Sequence, residues 1–320
     1  MKWGGNCFGT VTSYQRTTRL MSNAVGILFA LLAGISIAAM AIFVRMATKK
    51  GGDAFTAVIV SLVLNLVIII PAVAVIYYPE YGITLRSFLA FVGAGLTGTL
   101  TGRVFYFEGI SRVGASRADA IKATMPIFAT VTAILVLGED PTTTHILAIL
   151  AVVMGVWIIS SEMMLKKGGE SVIGKRRDII YPVCAAICFG FEPIFARIGV
   201  LEGTPSQVGV SIKILIAATG FLLYFVWKEE LPDVKGFLAN RETAKWYILA
   251  GLANTAMMVF YYAAIEKAPV VFVVPFLQTS PLFVVIFSYI WIQDIERISW
   301  RLVLGVIVMI CAAIIITAIA

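Results

Sequence analysis

Ten runs of about twenty predominantly apolar residues, parted by short polar breaks, constrain this chain more than anything else in it. They lie near residues 25–45, 55–78, 87–108, 114–137, 143–162, 179–199, 206–227, 246–265, 270–292 and 300–319. A helix of about 20 residues crosses roughly 30 Å of hydrocarbon. Within lipid the backbone must satisfy its own hydrogen bonds, which leaves a helix or a closed barrel. Barrel strands alternate apolar and polar residues, whereas Ile146–Ile159 is apolar on every side. The expected fold class is therefore all-α integral membrane, with ten transmembrane helices. Composition agrees: 13% of the residues are charged and 60% hydrophobic, and a soluble domain carries about 25% charge. The breaks hold turn and helix-start residues, among them Gly51-Gly52-Asp53, Glu139-Asp140-Pro141 and Gly168-Gly169-Glu170.

The chain repeats itself. An offset of 155 aligns Val104-Phe105-Tyr106 with Val259-Phe260-Tyr261, and pairs Ile110 with Ile265, Thr124 with Thr279, Pro126 with Pro281 and Phe128 with Phe283. In the same register Glu139 meets Asp294, and near the start of each half Phe43-Val44-Arg45 resembles Phe195-Ala196-Arg197. The organisation expected is a polar tail over 1–24, five-helix repeats over 25–162 and 179–319, and a basic loop of cytoplasmic type over 163–178. The tail has no signal-peptide pattern, and translation beginning at Met21 would remove most of it. Five is odd, so the second unit enters the membrane inverted relative to the first. Substrate sites in inverted repeats lie near the midplane, between the units.

With these residues in place, the sequence resembles the drug/metabolite transporter superfamily and, within it, the EamA family. The resemblance rests on Phe105-Tyr106-Phe107-Glu108-Gly109-Ile110, Gly114-Ala115-Ser116, Pro126-Ile127-Phe128 and Leu137-Gly138-Glu139, echoed by Tyr261-Tyr262-Ala263-Ala264-Ile265, Pro281-Leu282-Phe283 and Gln293-Asp294. It implies a ten-helix carrier, often one exporting amino acids or related metabolites. Gln293-Asp294 stands where the family would typically have Gly-Glu, and the intramembrane charge exceeds the usual.

That charge provides the candidate site. Arg103, Asp119, Lys122, Glu192 and Lys213 fall inside apolar runs. An ionised side chain at a helix centre costs at least about 2.5–3.5 kcal/mol on insertion scales, so it faces a partner or water. Arg103, Asp119 and Lys122 lie nearer one membrane face, Glu192 and Lys213 nearer the other. Either they line one polar, basic cavity or they are structural ion pairs. In the cavity reading Lys122 or Lys213 holds an acidic group of the substrate, and Glu192 is the proton-binding candidate. Tyr106 and Tyr261 suit the cavity wall or an interfacial aromatic belt, with the belt slightly favoured. Pro126 and Pro281 are expected to kink their helices, either as packing or to shape the cavity. Glu139 and Asp294 are read as acids favouring helix starts.

Other chemistries find little support. Cys7, Cys184, Cys188 and Cys311 form no CxxC pair, and with His145 as the one histidine no metal or other cofactor is expected. The net charge of +7 sits in short loops rather than in a nucleic-acid footprint. The expected partners are a small-molecule substrate and the lipid bilayer; a homodimer is neither indicated nor excluded. No Walker-type loop appears, so the carrier is read as secondary. The competing reading is a membrane-embedded enzyme such as a lipid-modifying transferase, but the polar residues are scattered one or two per helix rather than clustered as catalysis requires. A sensor lacks a soluble output domain.

Lys and Arg concentrate in the odd-numbered loops, as Arg45, Lys49, Lys50, Arg112, Arg117, Lys166, Lys167, Lys175, Arg176, Arg177, Lys228, Lys235, Arg241, Lys245, Arg297 and Arg301. Arg86, Arg197 and Lys267 lie on the other side, joined by Lys2, Arg16 and Arg19 of the tail. That excess puts both termini away from the cytoplasm. The resemblance implies the opposite orientation.

Overall fold

The structure is a computed structural model. It describes residues 7–52, 54–113, 118, 121–166, 176–228, 241–291, 304, 305, 307, 308, 311, 312 and 315. The described residues are overwhelmingly helical and include no strand.

The first unit comprises α1 (Cys7–Lys49), α2 (Ala54–Ile76), α3 (Leu85–Val113), α4 (Met125–Leu137) and α5 (Thr143–Lys166). After a short 3₁₀ turn at Arg176–Ile179, the second provides α6 (Ile180–Leu201), α7 (Ser206–Lys228), α8 (Arg241–Lys267), and α9 (Val270–Leu277) with α10 (Ser280–Trp291), which together form the ninth run. Most of the expected tenth span, 300–319, lies outside the described residues. Six helices are long and apolar enough to cross a membrane, within α1, α2, α3, α6, α7 and α8. The remaining apolar helical stretches, Met125–Leu137, Thr143–Ile158 and Val270–Val284, are shorter. Outward-facing Val67, Val75, Leu135, Trp157 and Leu223 are exposed, as lipid-facing side chains would be.

The first helix begins at Cys7, ahead of the apolar run, because nothing between Thr10 and Ser22 breaks a helix once α1 has nucleated it. One expectation needs correction. The fourth and ninth runs are not continuous helices. Each breaks two residues before its proline, and the two breaks match bond for bond. The Thr124 amide donates to the Ile121 carbonyl at 3.0 Å, its hydroxyl to the same carbonyl at 2.7 Å, and the Ile127 amide to the Thr124 carbonyl at 3.0 Å. Exactly 155 residues on, the Thr279 amide reaches Phe276 at 3.1 Å, its hydroxyl reaches Phe276 at 2.7 Å, and the Leu282 amide reaches Thr279 at 3.0 Å. Proline at the next position but one has no N–H to continue an α-ladder, so the chain takes a tight turn and restarts.

Packing follows the same exchange. α1, which opens the first unit, lies along α8 and against α9 and α10; α6, which opens the second, lies along α3 and α4. Glycines permit the closest approaches. A Cβ at Gly26 would meet that of Ala268 at 2.4 Å, and one at Gly199 or Gly209 would strike the ring of Phe91. In α3, Gly95–Thr101 widens into a π-helix, a feature frequent at functional sites.

Candidate functional site

A cavity of about 480 Å³ lies between the units. Three helices face it with the i, i+3, i+4, i+7 stripe of a single helix side. From α1 come Ile37, Met40, Ala41 and Val44; from α3 come Arg103, Tyr106, Phe107 and Ile110; from α8 come Asn254, Met257, Met258 and Tyr261. Ala57, Val58 and Ser61 of α2 close one flank. Both helix breaks contribute, through Lys122 and Met125 at one and Leu277 and Gln278 at the other.

Glu192 and Lys213 meet deep in this wall. Lys213 Nζ donates to Glu192 Oε1 at 2.6 Å, and the residues are 3% and 6% exposed. A buried ion pair holds only if its remaining hydrogen-bonding capacity is used. Here the Tyr261 hydroxyl donates to Glu192 Oε2 at 2.9 Å and the Tyr262 hydroxyl to Oε1 at 3.2 Å. The ammonium also lies 5.0 Å from the Tyr262 ring centre and 3.9 Å from Met258 Sδ. Space for the carboxylate comes from α3, where a Cβ on Gly98 would lie 2.3 Å from Glu192 Cγ. One residue further on, Pro193 deprives the Phe189 carbonyl of its helical donor, and Phe189 too borders the cavity.

Of the residues singled out in the sequence, Arg103, Tyr106, Lys122, Glu192, Lys213 and Tyr261 therefore share one wall. Lys122 Nζ lies 4.4 Å from the centre of the Tyr106 ring, at cation–π distance. Asp119 lies outside the described residues. Pro126 and Pro281 do not line the cavity but adjoin the turns that do. Tyr261 lies in the last two turns of α8 but is buried, with its hydroxyl on Glu192, which corrects the favoured placing of this residue in a lipid-facing aromatic belt. Residues not anticipated are Gly98, Asn254, Gln278 and Tyr262. The last was visible only as part of the Tyr261-Tyr262 pair.

Glu139 acts at a helix start, but not that of its own helix. Its two oxygens accept from the amides of Val270 at 2.9 Å and Val271 at 3.0 Å, capping α9 of the other unit. Gly138, in the left-handed region at φ 64°, turns the chain so that this reach is possible. Asp294 lies outside the described residues.

Three comparisons bear on this architecture. The EamA-like transporter family matches the chain twice, over residues 24–161 and 177–318. An uncharacterized transporter of Archaeoglobus fulgidus is 25% identical over 235 residues, covering 73% of this chain and 78% of its own length. A protein of known crystal structure, 14% identical, superposes with a TM-score of 0.73 over 93% of this chain and 98% of its own, and so shares the fold.

Proposed function

Since this chain belongs to the EamA-like transporter family and is a multi-pass membrane protein, we propose that it exports a small acidic or zwitterionic metabolite across the cell membrane. The fold under this reading is ten spans in two inverted five-helix units. What carries the proposal is the convergence of three bases and one acid on one largely apolar cavity. Its volume lies in the range of about 300–1,000 Å³ usual for small-molecule sites. Among the described residues lining it, positive charge exceeds negative, which favours an anionic group on the substrate, such as that of an amino acid or organic acid.

Roles follow from the geometry. Arg103 and Lys122 hold the acidic group. Glu192 neutralises Lys213 while the cavity is empty; a proton on Glu192 weakens that pair and makes the ammonium available to the substrate. The carrier is secondary, driven by a proton or solute gradient. A lipid-modifying transferase would need a clustered nucleophile and base, and the acid here is engaged with a lysine and two tyrosines.

The test is counterflow of labelled amino and organic acids in proteoliposomes. Lys122→Met is expected to leave a folded protein that has lost or altered transport. Glu192→Gln is expected to retain exchange but lose its response to an imposed pH gradient. A chemically altered product recovered from the vesicles, or full transport by Lys122→Met, defeats the reading.

A further inference from the structure

Asn254 is 1% exposed, and neither its amide nitrogen nor its amide oxygen has a hydrogen-bond partner among the described residues. Its neighbours are provided for. The Thr255 hydroxyl donates to Asn65 Oδ1 at 2.8 Å and approaches the Gly251 carbonyl at 2.9 Å, and the Ser61 hydroxyl donates to the Ala57 carbonyl at 2.7 Å. Two other buried side chains hold an unpaired nitrogen, His145 at Nε2 and Trp246 at Nε1. Neither borders the cavity, whereas Asn254 does. Buried amides are ordinarily satisfied on both atoms, so an asparagine left unpaired on both, in a residue that borders a ligand-sized cavity, has the form of a recognition group.

Its position gives the chemistry. Asn254, Met257, Met258 and Tyr261 share one side of α8, and the seven steps from the first residue to the last span roughly 10 Å of helix rise. The wall therefore runs from an unpaired amide, across two thioether side chains, to the Glu192–Lys213–Tyr261 cluster. An amide offers one acceptor and two donors side by side. A carboxylate can use only the donors, an ammonium only the acceptor, and an alkyl group neither. Another amide uses both at once, in two parallel bonds.

We propose that Asn254 determines specificity, and that the substrate carries a carboxamide or cyclic amide in addition to its acidic group. The proposal rests on the reading of the cavity as a site for an acidic substrate, and the experiment separates the two. Suberic acid monoamide, suberate and octanoate differ only at the far end of a chain of similar length. Octanamide and heptyl methyl ketone, in which a methyl replaces the amide nitrogen, make the corresponding comparison without an acid. Binding is measured by thermal stabilisation of the purified protein.

The monoamide is expected to bind roughly tenfold more tightly than octanoate or suberate, the gain of about one well-made pair of hydrogen bonds. Octanamide is expected to exceed the ketone similarly. Both preferences should vanish in Asn254→Leu, and that variant should melt at a higher temperature, since no unpaired buried amide remains. Lys122→Met should weaken the three acids alike and leave the octanamide preference intact. Failure of all acids to bind, with octanamide still preferred, removes the acidic-substrate reading but not the role of Asn254. Equal binding of octanamide and ketone, preferences surviving in Asn254→Leu, or a lowered melting temperature for that variant each overturns the proposal.

Discussion

Glu192 accepts from one ammonium and two phenols, and the room it occupies exists because residue 98 has no side chain. Gly98→Ala forces atoms together at 2.3 Å, and overpacking of this kind costs about 1–3 kcal/mol. Gly34→Ala, whose nearest contact is the Phe276 carbonyl oxygen at 3.4 Å, should cost less, and thermal unfolding in detergent ranks the two. Equal melting temperatures would mean that Glu192 relaxes freely. Lys213→Met strands the carboxylate and should cost about 3–5 kcal/mol, with most of the loss recovered by adding Glu192→Gln. The charges were legible in the sequence because an ionised group in an apolar run is conspicuous. Gly98 and Asn254 were not. Glycine is common in membrane helices, and an asparagine acquires its meaning only from what fails to pack against it.

At the scale of elements, the paired breaks before Pro126 and Pro281 are the informative feature. The prolines and threonines could be aligned in the sequence at a fixed offset, but an apolar run does not reveal where a helix stops and restarts. Hydropathy reads lipid exposure, whereas the break depends on local hydrogen bonds. Thr124→Val and Thr279→Val each remove one 2.7 Å side-chain bond, and each should lower stability by about 1 kcal/mol. The two costs should be similar, since the turns are alike. Pro281→Ala restores an amide that can rejoin the ladder, so the helix should straighten, stability should rise, and counterflow should slow. A stabilised variant with unchanged transport would reduce the break to a packing feature. Glu139→Gln keeps the shape but leaves one acceptor oxygen for two amides, with the dipole-facing charge gone. A loss of about 1–2 kcal/mol is expected.

At the scale of the whole molecule, the even-loop end is tied together among the described residues, whereas residues 114–117, 119, 120, 167–175, 229–240 and 292–303 at the odd-loop end lie outside them. At the end carrying the even-numbered loops, contacts are short and numerous. Ser22 donates to the Lys267 carbonyl at 2.7 Å, Arg197 to the carbonyls of Ile265 and Glu266, Thr204 to the Gly82 carbonyl at 2.6 Å, and Glu139 caps α9. At the odd-loop end the described ion pairs between helices are Lys50 with Glu242 and Arg112 with Asp178, beside Arg112 with Glu108 within α3, and Lys50, Arg112, Glu108 and Glu242 are exposed. Exposed pairs contribute about 0–1 kcal/mol. The cavity also leans that way: its α1 stripe leads toward Lys49, and its α2 residues lie within the first turns after Ala54.

Because the cavity leans toward it, access is expected from the odd-loop face. With the Lys and Arg excess of that face taken as the cytoplasmic signal, the expected opening is to the cytoplasm, as the proposed exporter would require to load its substrate. Two measurements check this. With Cys7, Cys184, Cys188 and Cys311 changed to Ser, the cavity-lining variant Ala41→Cys should react with a membrane-impermeant thiol reagent in inside-out vesicles and not in intact cells. A fluorescent protein fused after Ala320 should be dark, since the C-terminus then lies away from the cytoplasm. Labelling in intact cells together with a glowing fusion would reverse the orientation, and the accessible cavity would then face outward. Labelling from neither side would show instead that the odd-loop end is closed as well, with Lys50–Glu242 and Arg112–Asp178 part of a gate rather than a rim.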